Sequence, residues 1–414
     1  MAKCGLLGEK LGHSYSPFIH NMLGDYSYEI FERSPESVED FIKNGDWNGL
    51  NVTIPYKKTV FPFMDKIGDF AQKTGSINVI VRKPDGKLYG DNTDVYGFIK
   101  LVELSKIDVS GKKTLVLGNG GAATAVIVGL KELGAVPVII SRSGEFNYNN
   151  LELNYDAEVI VNTTPVGMYP NTGKAPLDLA PFKNLKGVID IIYNPARPEL
   201  LLQAERLGIP CISGLYMLVA QAKKAAEIFT GKEIDDNKTD EIFHAMIRRL
   251  QNIVLIGMPG CGKSTIAREI AECTGRVLFD ADDEIEKTAG MSPAQIIKEK
   301  GEDEFRRIES SVLLELGKKS GAVIATGGGA VVRAENYDYL HQNGIIVWLR
   351  RDLSLLPSNG RPLSQQKGLE RLFEERAPLY EKFADITIRL GEKHSISDIL
   401  DTVYKELVNE NTCN

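Results

Sequence analysis

The sequence predicts an α/β fold in which parallel strands alternate with helices over more than one folding unit. Short runs rich in β-branched residues alternate with helical stretches along almost the whole chain, which is typical of α/β proteins. Two glycine-rich turns, at 117–126 and 257–265, each follow an apolar strand and precede a helical pattern. At 414 residues the chain is also longer than one hydrophobic core usually supports, so two or three domains are expected.

The composition argues against several classes of protein. A net charge of −7 is unfavourable for a nucleic-acid-binding protein, which needs a basic face. No apolar run is long enough to span a membrane, and the apolar part of "MAKCGLLGEKLGHS" is too short for a signal peptide. The five cysteines are scattered without a C-x-x-C pair, so neither a disulfide framework nor a zinc site is expected. We therefore expect a protein of the reducing cytoplasm that binds neither nucleic acid nor membrane.

The first hundred residues predict a unit that mixes strands and helices. Strands are predicted at "KCGLLG", "YSYEIFE" and "GLNVTIP", and helices at "SPFIHNML" and "SVEDFIKNG" between them. The stretch 76–94 predicts a hairpin whose turn is Asp85-Gly86.

A second unit begins near Lys112, where 112–143 has the pattern strand, glycine turn, helix, strand. Glycines in such a turn let the backbone approach a pyrophosphate that rests on the helix N-terminus. The pattern predicts a Rossmann-type dinucleotide site, although an ordinary strand-to-helix turn would look similar. The expected contacts in the turn are Gly118, Gly120, Gly121 and Ala122.

The end of the next strand bears on the choice between NAD and NADP. A site for NAD carries an acid there to bind the ribose 2′-hydroxyl, but this sequence has Ser141, Arg142 and Ser143. A guanidinium and two hydroxyls suit a 2′-phosphate instead, so we expect NADP(H). Glu145 nearby is a counterargument, and Arg142 could also be a solvated loop residue.

The segment 232–250 is predicted to separate the second unit from a third. A long helix over 214–229 ends at Thr230-Gly231, and the polar stretch "KEIDDNKTDE" and a short amphipathic helix follow. A polar linker of this kind permits the units that it joins to move. A cut between Asp236 and Asn237 is therefore expected to give two active proteins.

The third unit begins with a phosphate-binding loop. Residues 257–264 satisfy G-x-x-x-x-G-K-[ST] between a predicted strand and a predicted helix. Lys263 is expected to reach the β- and γ-phosphates and Ser264 to bind Mg²⁺, while backbone N–H groups cradle the phosphates. The expected ATP contacts here are Gly260, Cys261, Gly262, Lys263, Ser264 and Thr265. The loop does not identify the acceptor.

Five motifs in the first two units resemble those of shikimate dehydrogenase. They are "GHSYSPFIHN", "NVTIPYKK", "YGDNTDVYG", "NTTPVGM" and "GLYMLVAQ", and the resemblance covers residues 3 to 248. It implies NADPH-dependent reduction of 3-dehydroshikimate to shikimate, with Lys57 and Asp94 as the acid/base pair. The other implied shikimate contacts are Ser14, Ser16, Thr53, Asn78, Tyr193 and Gln221.

Some of these residues also have an ordinary structural explanation. Lys57 could be a surface lysine beside Lys58, and Asp94 could be the N-cap of the helix that follows it. Ser16 precedes Pro17 at a predicted helix start, so it could serve as a cap as well.

Five motifs in the third unit resemble those of shikimate kinase. They are "FDADDEIEKTAG", "GEDEFRRIE", "ATGGGAVV", "GRPL" and "ERAPLY", and the resemblance covers residues 251 to about 406. It implies Mg-ATP-dependent phosphorylation of shikimate to shikimate 3-phosphate, with Asp282 at the acceptor hydroxyl and Asp280 near the metal. The other implied shikimate contacts are Arg306, Gly327, Gly328, Gly329 and Arg376, and Arg361 matches the arginine that stabilises the transferring phosphoryl group.

Three features of this unit leave alternatives open. Arg306 could pair with Glu302 on its own helix, and "DADDE" offers several acids that could simply be solvated. Only the eleven residues "RRDLSLLPSNG" separate the strand "IIVWL" from Arg361, fewer than the family usually has. We therefore expect an altered lid with loose nucleotide discrimination, and Arg350 or Arg351 as a candidate adenine contact.

These expectations divide the chain into four segments. Residues 1–100, completed by 214–248, would bind the dehydrogenase substrate, and 101–231 would form a Rossmann-type NADP-binding domain. Residues 232–250 would be a linker and short helix, and 251–414 a P-loop shikimate kinase domain with a parallel sheet. Shikimate made by the first half would reach the second half through bulk solvent. The alternatives are a quinate-type dehydrogenase joined to another small-hydroxyl kinase, and a non-catalytic metabolite sensor.

Overall fold

Three β-sheets follow one another along the chain in the computed structural model, which describes residues 2–12, 14–356, 368–391 and 395–411. The first sheet has six strands, and the second and third have five each. All strand pairs of the second and third sheets are parallel, so the predicted α/β fold with parallel sheets is confirmed. Within the described ranges, no helix has the length and apolar character that crossing a membrane requires.

The first sheet combines parallel and antiparallel pairs in the order β2-β1-β3-β5-β6-β4. Its strands are β1 (Ala2–Gly8), β2 (Tyr26–Glu32), β3 (Gly49–Val52), β4 (Lys66–Ile67), β5 (Val79–Arg82) and β6 (Leu88–Asp91). The helices of this region are α1 (Ser16–Leu23), α2 (Val38–Asn44), α3 (Asp69–Thr74) and α4 (Thr93–Ser105). The predicted hairpin is confirmed, because β5 and β6 pair antiparallel and Gly86 in the turn has a φ of 86°.

The second sheet has the order β11-β10-β9-β7-β8. Its strands are β7 (Lys113–Leu117), β8 (Val136–Ile140), β9 (Val159–Asn162), β10 (Gly187–Asp190) and β11 (Cys211–Ser213). Its helices are α5 (Gly121–Glu132), α6 (Glu199–Arg206) and α7 (Leu215–Thr230). Because the strands are parallel, the residues that follow β7, β8 and β9 meet at one edge of the sheet, where ligands bind in open α/β sheets.

Helices α4 and α7 connect the first two sheets and approach each other closely at Gly97. A Cβ on Gly97 would lie 2.6 Å from the carbonyl oxygen of Met217 and 2.9 Å from Cβ of Gln221. A side chain at position 97 would therefore force the two helices apart. Glycine here brings the first turn of α4 next to Gln221 on α7.

The third sheet has the order β13-β14-β12-β15-β16. Its strands are β12 (Asn252–Ile256), β13 (Leu278–Asp280), β14 (Val323–Ala325), β15 (Gly344–Arg351) and β16 (Ile386–Leu390). Helix α8 (Asp236–Leu250) precedes it, and its other helices are α9 (Lys263–Thr274), α10 (Ala281–Ala289), α11 (Pro293–Lys300), α12 (Glu302–Gly317), α13 (Glu335–His341), α14 (Leu369–Phe383) and α15 (Ile396–Asn411). The predicted strand and helix on either side of the glycine loop at 257–265 are confirmed as β12 and α9.

The segment 232–250 differs from the linker and short helix that the sequence predicts. Helix α8 begins at Asp236, so only residues 232–235 lie outside a helix. The side chain of Asp235 caps α8 by accepting a hydrogen bond from the backbone N–H of Asn237 at 2.8 Å. The proposed cut between Asp236 and Asn237 therefore falls in the first turn of a helix.

Two acidic residues of this segment, Asp236 and Asp240, bind side chains of α7. Lys223 Nζ donates to Asp236 at 2.9 Å, and the Tyr216 hydroxyl donates to Asp240 at 2.9 Å. Helix α8 also buries the apolar side chains of Ile242, Phe243, Met246, Ile247 and Leu250. One continuous cluster of buried apolar side chains includes residues of α7, α8 and β12. The charged composition of this segment suggested a flexible linker, because the residues that bind its acids lie elsewhere in the sequence.

The second and third sheets are joined by a second contact, between the loop 191–198 and the segment after α13. The backbone N–H of Ala196 donates to Asn343 Oδ1 at 3.0 Å, and that of Arg197 donates to the carbonyl of Gln342 at 2.8 Å. Ala196, Arg197, Gln342 and Asn343 are all buried. The prediction of two mobile halves joined by a linker disagrees with this structure, because buried hydrogen bonds also join the second sheet directly to the third.

Two candidate active sites

The first candidate site lies where β1 and β3 end. Lys57 Nζ lies 2.6 Å from Asp94 Oδ2, and both side chains are partly buried. Asn78 Nδ2 donates to the other carboxylate oxygen of Asp94 at 2.9 Å. Asp94 lies in the first turn of α4, but the side chain that caps this helix is that of Asn92. Capping therefore does not account for Asp94, and its carboxylate instead holds the lysine amine.

The cluster extends to Gln221 and Thr93. Gln221 Oε1 accepts hydrogen bonds from Asn78 Nδ2 and Thr93 Oγ1, both at 3.4 Å. Asn78 Oδ1 accepts from the backbone N–H of Thr93 at 2.7 Å. The structure thus brings four predicted residues together, namely Lys57, Asn78, Asp94 and Gln221. Sequence reasoning did not single out Thr93, although it lies inside the quoted "GDNTD" motif.

Three other predicted residues approach the same end of the first sheet. Ser14 and Ser16 follow β1, and Ser14 Oγ accepts a hydrogen bond from the backbone N–H of Ser16 at 3.2 Å. Tyr15 occupies the N-cap position of α1 without a capping side-chain bond, so Ser16 is not the cap. Thr53 follows β3, the parallel neighbour of β1. The polar groups after both strands therefore lie at one edge.

Tyr193 brings a residue of the second sheet to this edge. It lies in the loop after β10, and its ring meets that of Tyr15 edge to face with 6.3 Å between the centroids. Burial, and secondarily the neighbouring Tyr15, raises the pKa of the Tyr193 hydroxyl, so this group is neutral. Tyr15 adjoins both serines in sequence, although sequence reasoning gave it no role.

The glycine turn after β7 leaves room for a ligand. Gly118 has a φ of 110°, and a Cβ there would lie 2.8 Å from Thr163 Oγ1, so the fold itself requires this glycine. A Cβ on Gly120 or Gly121 would meet no atom within 4 Å. Helix α5 begins at Gly121, with Ala122 in its first turn. The open space at a helix N-terminus fits the pyrophosphate of a dinucleotide.

The three residues after Ile140 differ in exposure. Ser141 is buried, and its hydroxyl lies 2.7 Å from the position that a Cβ on Gly144 would take. Arg142 and Ser143 are exposed at the edge of the sheet, as is Glu145. The structure therefore presents a guanidinium and one hydroxyl, rather than two hydroxyls, to a ligand at this edge.

The second candidate site is a cavity of about 560 Å³ where β12, β13 and β14 end. Twelve predicted residues line it, namely Gly260, Gly262, Lys263, Ser264, Thr265, Asp280, Asp282, Arg306, Gly327, Gly328, Gly329 and Arg376. Cys261 is fully buried and does not line the cavity, so it can contribute only through its backbone. Arg361 falls outside the described residues. A phosphate loop and a set of cationic side chains thus share one chamber.

The phosphate loop is held in a strained backbone conformation that glycine permits. Gly257, Gly260 and Gly262 have φ values of 144°, 84° and 105°. Lys263 Nζ is buried and donates to the carbonyls of Gly257 at 2.9 Å and Met258 at 3.0 Å. The ammonium therefore lies against the loop, where phosphate oxygens would compete for its donors.

Asp280 forms a polar wall of the cavity next to the phosphate loop. Ser264 Oγ donates to Asp280 Oδ2 at 2.8 Å, and the backbone N–H of Asp282 donates to Asp280 Oδ1 at 3.0 Å. A serine hydroxyl next to a carboxylate supplies the oxygen ligands that Mg²⁺ prefers. Burial raises the pKa of Asp282, the Asp280 charge adds to this, and Lys263 opposes it. Asp282 is therefore a better proton acceptor than an ordinary aspartate.

Arg306 is buried with two acids of its own helix. Arg306 Nη1 lies 2.7 Å from Glu309 Oε2, and Nη2 lies 3.2 Å from Glu302 Oε1. The predicted pair with Glu302 exists, but Glu309 is closer and fully buried. Glu309 also lines the cavity, and sequence reasoning missed it. Glu309 follows Arg306 by three residues in "FRRIE", a spacing that places the two side chains next to each other on a helix and could have indicated this pair.

Arg376 holds the glycine segment 327–329 by a hydrogen bond to its backbone. Arg376 Nη1 donates to the carbonyl of Gly328 at 2.9 Å, and the Tyr380 hydroxyl donates to the same oxygen. A Cβ on Gly329 would clash with the guanidinium of Arg306. Glycine at 329 therefore lets the backbone and a buried arginine lie side by side at the cavity wall.

Of the two arginines expected near adenine, Arg351 is the nearer to the phosphate loop. Its Nη1 lies 4.0 Å from the position that a Cβ on Gly262 would take. Arg351 Nε is buried and has no hydrogen-bond partner among the described residues. Arg350 instead lies over the rings of Trp348 and Phe373, at 5.5 and 5.9 Å from their centroids.

Comparison with known proteins identifies a family for each part of the chain. Residues 6–80 match the family model described as the shikimate dehydrogenase substrate binding domain, and residues 259–410 match the model described as shikimate kinase. The chain is 38% identical over 264 residues to an NADP⁺-dependent shikimate dehydrogenase of Clostridium perfringens strain SM101, spanning 58% of this chain and 97% of the relative.

Solved structures give the same result for the first two sheets. A chorismate mutase/shikimate 5-dehydrogenase fusion protein from Clostridium acetobutylicum is 36% identical, with a TM-score of 0.56, over 59% of this chain and 96% of that one. Shikimate 5-dehydrogenase from Thermus thermophilus, in complex with NADP(H) and shikimate, is 28% identical, with a TM-score of 0.54, over 59% and 99%. The chain therefore belongs to the shikimate dehydrogenase family over its first two sheets and carries a shikimate kinase domain in its third.

Proposed function

We propose that this chain is a bifunctional enzyme that reduces 3-dehydroshikimate to shikimate with NADPH and then phosphorylates shikimate with Mg-ATP. The observation that carries the proposal is the presence, on one chain, of a Lys57–Asp94 pair and of a phosphate loop that faces buried arginines. The two reactions are consecutive, because the product of the first is the acceptor of the second.

In the dehydrogenase reaction we assign proton transfer to Lys57. Lys57 would give a proton to the oxygen that becomes the hydroxyl, while the bound cofactor would supply the hydride to the carbonyl carbon. Asp94, 2.6 Å from Nζ, keeps the amine oriented, and Asn78 fixes the carboxylate through its other oxygen. In the reverse direction Lys57 takes the proton back.

We assign the rest of the first site to recognition. The hydroxyls of Ser14 and Ser16 would bind the substrate carboxylate, and Thr53, Gln221 and Tyr193 would bind its ring hydroxyls. The turn at 118–122 would hold the pyrophosphate of NADP(H). Arg142 and Ser143, both exposed at the end of β8, would bind the 2′-phosphate.

In the kinase reaction we assign the phosphates to Lys263 and the acceptor hydroxyl to Asp282. Ser264 and Asp280 would hold Mg²⁺, which would neutralise phosphate charge at this point. Asp282, with its raised pKa, would accept the hydroxyl proton.

Two buried arginines would bind the acceptor in the same cavity. Arg306 and Arg376 would hold the carboxylate of shikimate, and the backbone N–H groups of 327–329 would lie against its ring. Glu309 would keep the Arg306 guanidinium oriented through the contact of 2.7 Å. Arg361 would complete the site at the transferring phosphoryl group.

We also propose a division of labour along the chain. Residues 1–100 with 214–248 would bind the dehydrogenase substrate, 101–231 would bind NADP(H), and 251–414 would form the kinase. Below, residues up to 250 are called the dehydrogenase half and the remainder the kinase half. A cytoplasmic location agrees with the composition.

A coupled assay tests the proposed function. The enzyme receives 3-dehydroshikimate, NADPH and Mg-ATP, and the consumption of both cofactors is followed together. We expect NADPH oxidation to precede ADP formation, with equal final amounts of both products. Replacing shikimate by quinate in the separate half-reactions tests the quinate-type alternative. A protein that binds shikimate and consumes neither cofactor would instead be a sensor.

A further inference from the structure

We propose that Asn343, in the kinase half, is a positioning residue for the dehydrogenase site, because it fixes the loop 191–198 that carries Tyr193. The inference rests on the proposed role of Tyr193 as a shikimate contact. It makes the kinase half a structural part of the first active site.

The dehydrogenase half holds the loop at both ends. At the C-terminal end the Pro198 carbonyl accepts from the backbone N–H groups of Leu201 and Leu202, and Arg197 Nε lies 3.3 Å from Glu205 Oε1. At the N-terminal end the bonds reach Asn194. The backbone N–H of Ile192 donates to Asp190 Oδ1 at 3.0 Å, and that of Tyr169 donates to the carbonyl of Asn194 at 3.0 Å. Beyond this point the two prolines, Pro195 and Pro198, have no N–H to donate.

The two N–H groups that the loop carries beyond Asn194 are both satisfied by the kinase half. Ala196 N donates to Asn343 Oδ1 at 3.0 Å, and Arg197 N donates to the carbonyl of Gln342 at 2.8 Å. A buried backbone N–H that loses its partner is costly, so the kinase half stabilises the loop in this position.

The orientation of the Asn343 amide is fixed by its other end. Asn343 is 2% exposed, and its Nδ2 donates to the carbonyl of Lys319 at 2.8 Å and lies 3.3 Å from Ser320 Oγ. With the donors directed at a carbonyl, the amide oxygen must face Ala196. The kinase half therefore offers a preformed acceptor to the loop.

A balanced group of charges reinforces this contact. Arg197 is buried, its Nη1 donates to the carbonyl of His341 at 3.1 Å, and its Nε lies 3.3 Å from Glu205 Oε1. His341 in turn lies 3.5 Å from Glu205 and 3.5 Å from Asp385. Two carboxylates thus face an arginine and a histidine at the boundary between the halves.

The loop reaches the active site through Tyr193, which precedes Ala196 by three residues, or roughly 10 Å of chain at most. The Tyr193 ring contacts Tyr15, which lies between Ser14 and Ser16. If the loop is released at Ala196, Tyr193 loses its fixed position beside the serines. Shikimate binding is then weakened, whereas the Lys57–Asp94 pair, on other elements, is unchanged.

The test is the variant Asn343→Ala in the full chain, with both activities measured on one preparation. We expect the dehydrogenase KM for shikimate to rise about tenfold, with kcat and the KM for NADP⁺ within about twofold, as for the loss of one buried hydrogen bond. An unchanged KM in the alanine variant would overturn the proposal.

Asn252→Ala is the matched control. Asn252 is also fully buried and donates to the same Lys319 carbonyl at 2.7 Å, but its side chain accepts from Ala322 rather than from the dehydrogenase loop. It should leave the dehydrogenase KM unchanged even where it weakens the kinase half. An equal rise in both alanine variants would indicate general destabilisation and overturn the proposal.

Arg197→Ala decides the question if Asn343→Ala does not fold. This variant removes the guanidinium that donates to the His341 carbonyl and contacts Glu205, and it leaves the core of the kinase half intact. A rise of about threefold or more in the dehydrogenase KM for shikimate supports the proposal, and an unchanged KM overturns it. Absence of dehydrogenase turnover in the unaltered enzyme would contradict the proposed function instead, so the two failures are distinguishable.

Discussion

The two candidate sites are assembled in different ways. The kinase site is one cavity at the edge of one sheet, and the described residues that line it fall between 259 and 376. The dehydrogenase site takes Lys57 and Asp94 from the first sheet and its helices, Gln221 from α7 and Tyr193 from the second sheet. The kinase site therefore depends on one sheet. The dehydrogenase site depends on how the first sheet, the second sheet and helix α7 are held together.

The two sites also differ in the number and burial of their charged side chains. The kinase cavity concentrates Lys263, Arg306 and Arg376 in buried positions, with Glu309 fully buried beside Arg306. The dehydrogenase cluster has one lysine paired with one aspartate, and both are partly accessible to solvent. A site that binds a highly charged nucleotide needs several cations, while a proton-transfer site needs one oriented pair.

Substituting the lysine of each site gives the largest expected effect. Lys57→Ala should lower the dehydrogenase kcat by about 10²–10⁴-fold and leave phosphorylation unchanged, because a general acid/base typically contributes that much. Lys263→Ala should lower phosphorylation and leave dehydrogenase turnover unchanged. The measurement is steady-state kinetics of both half-reactions for each variant.

Lys58→Ala is the control for the first of these, because Lys58 is the exposed neighbour in sequence. It should retain dehydrogenase turnover. Near-normal reduction by the Lys57→Ala enzyme would show that another group transfers the proton.

The cofactor preference gives the next largest effect. Arg142→Ala should weaken binding of NADP(H) by roughly ten- to a hundredfold, because a hydrogen bond to a charged group contributes about 1.5–3 kcal/mol. Binding of NAD(H), which lacks the 2′-phosphate, should change little and serves as the control in the same titration. An equal loss of affinity for NADP(H) and NAD(H) would show that Arg142 stabilises the fold and does not bind the 2′-phosphate.

The contact between the halves should make stability depend on pH. Burial and Arg197 lower the pKa of His341, but Asp385 and Glu205 outweigh them and raise it to about 9. The stabilisation is complete below the ordinary value of about 6.5 and is lost as pH rises through about 9. We expect the free energy of unfolding to fall by about 1–2 kcal/mol between pH 7.5 and 9.5.

Urea unfolding across that range measures the effect, and His341→Gln should flatten the slope. The range lies above the titration of Asp190, whose pKa burial raises to about 7. A slope that persists in the variant would assign the pH dependence to other groups.

Nucleotide selectivity gives the smallest expected effect. The short segment 350–360 predicts loose discrimination, so GTP or CTP should replace ATP with a loss of less than about tenfold in kcat/KM, within the range of one or two weak contacts. Competition between the nucleotides at equal concentration is the measurement. Strict preference for ATP would point to specific base recognition by residues such as Arg351.

The parts of the structure that follow from local sequence patterns were predictable. The hairpin at Asp85-Gly86 and the phosphate loop before Lys263 depend on residues adjacent in sequence, and both are confirmed. The motif around Asp94 was recognisable even though helix capping was an equally good local explanation. Only the structure shows that Asn92 is the cap and that Asp94 is the partner of Lys57.

The parts that depend on distant partners were not predictable. The acids of 232–241 suggested a solvated linker, because the partners of Asp236 and Asp240, namely Lys223 and Tyr216, belong to another helix. Nothing in the sequence near Asn343 indicates that its amide receives Ala196, since the two are 147 residues apart. Composition predicts the character of a segment, but not which surface covers it.

The distance between Ala196 and Asn343 has a consequence for synthesis on the ribosome. The chain emerges from its N-terminus, so the loop 191–198 is made 147 residues before the acceptor that completes it. At about 5–20 residues per second, that interval is roughly 7–30 s. During this time the nascent dehydrogenase half can form its own sheets, while the N–H groups of Ala196 and Arg197 bond only to water. If Asn343 positions Tyr193 as proposed, the first site reaches its full affinity for shikimate only when the kinase half has also been made and folded.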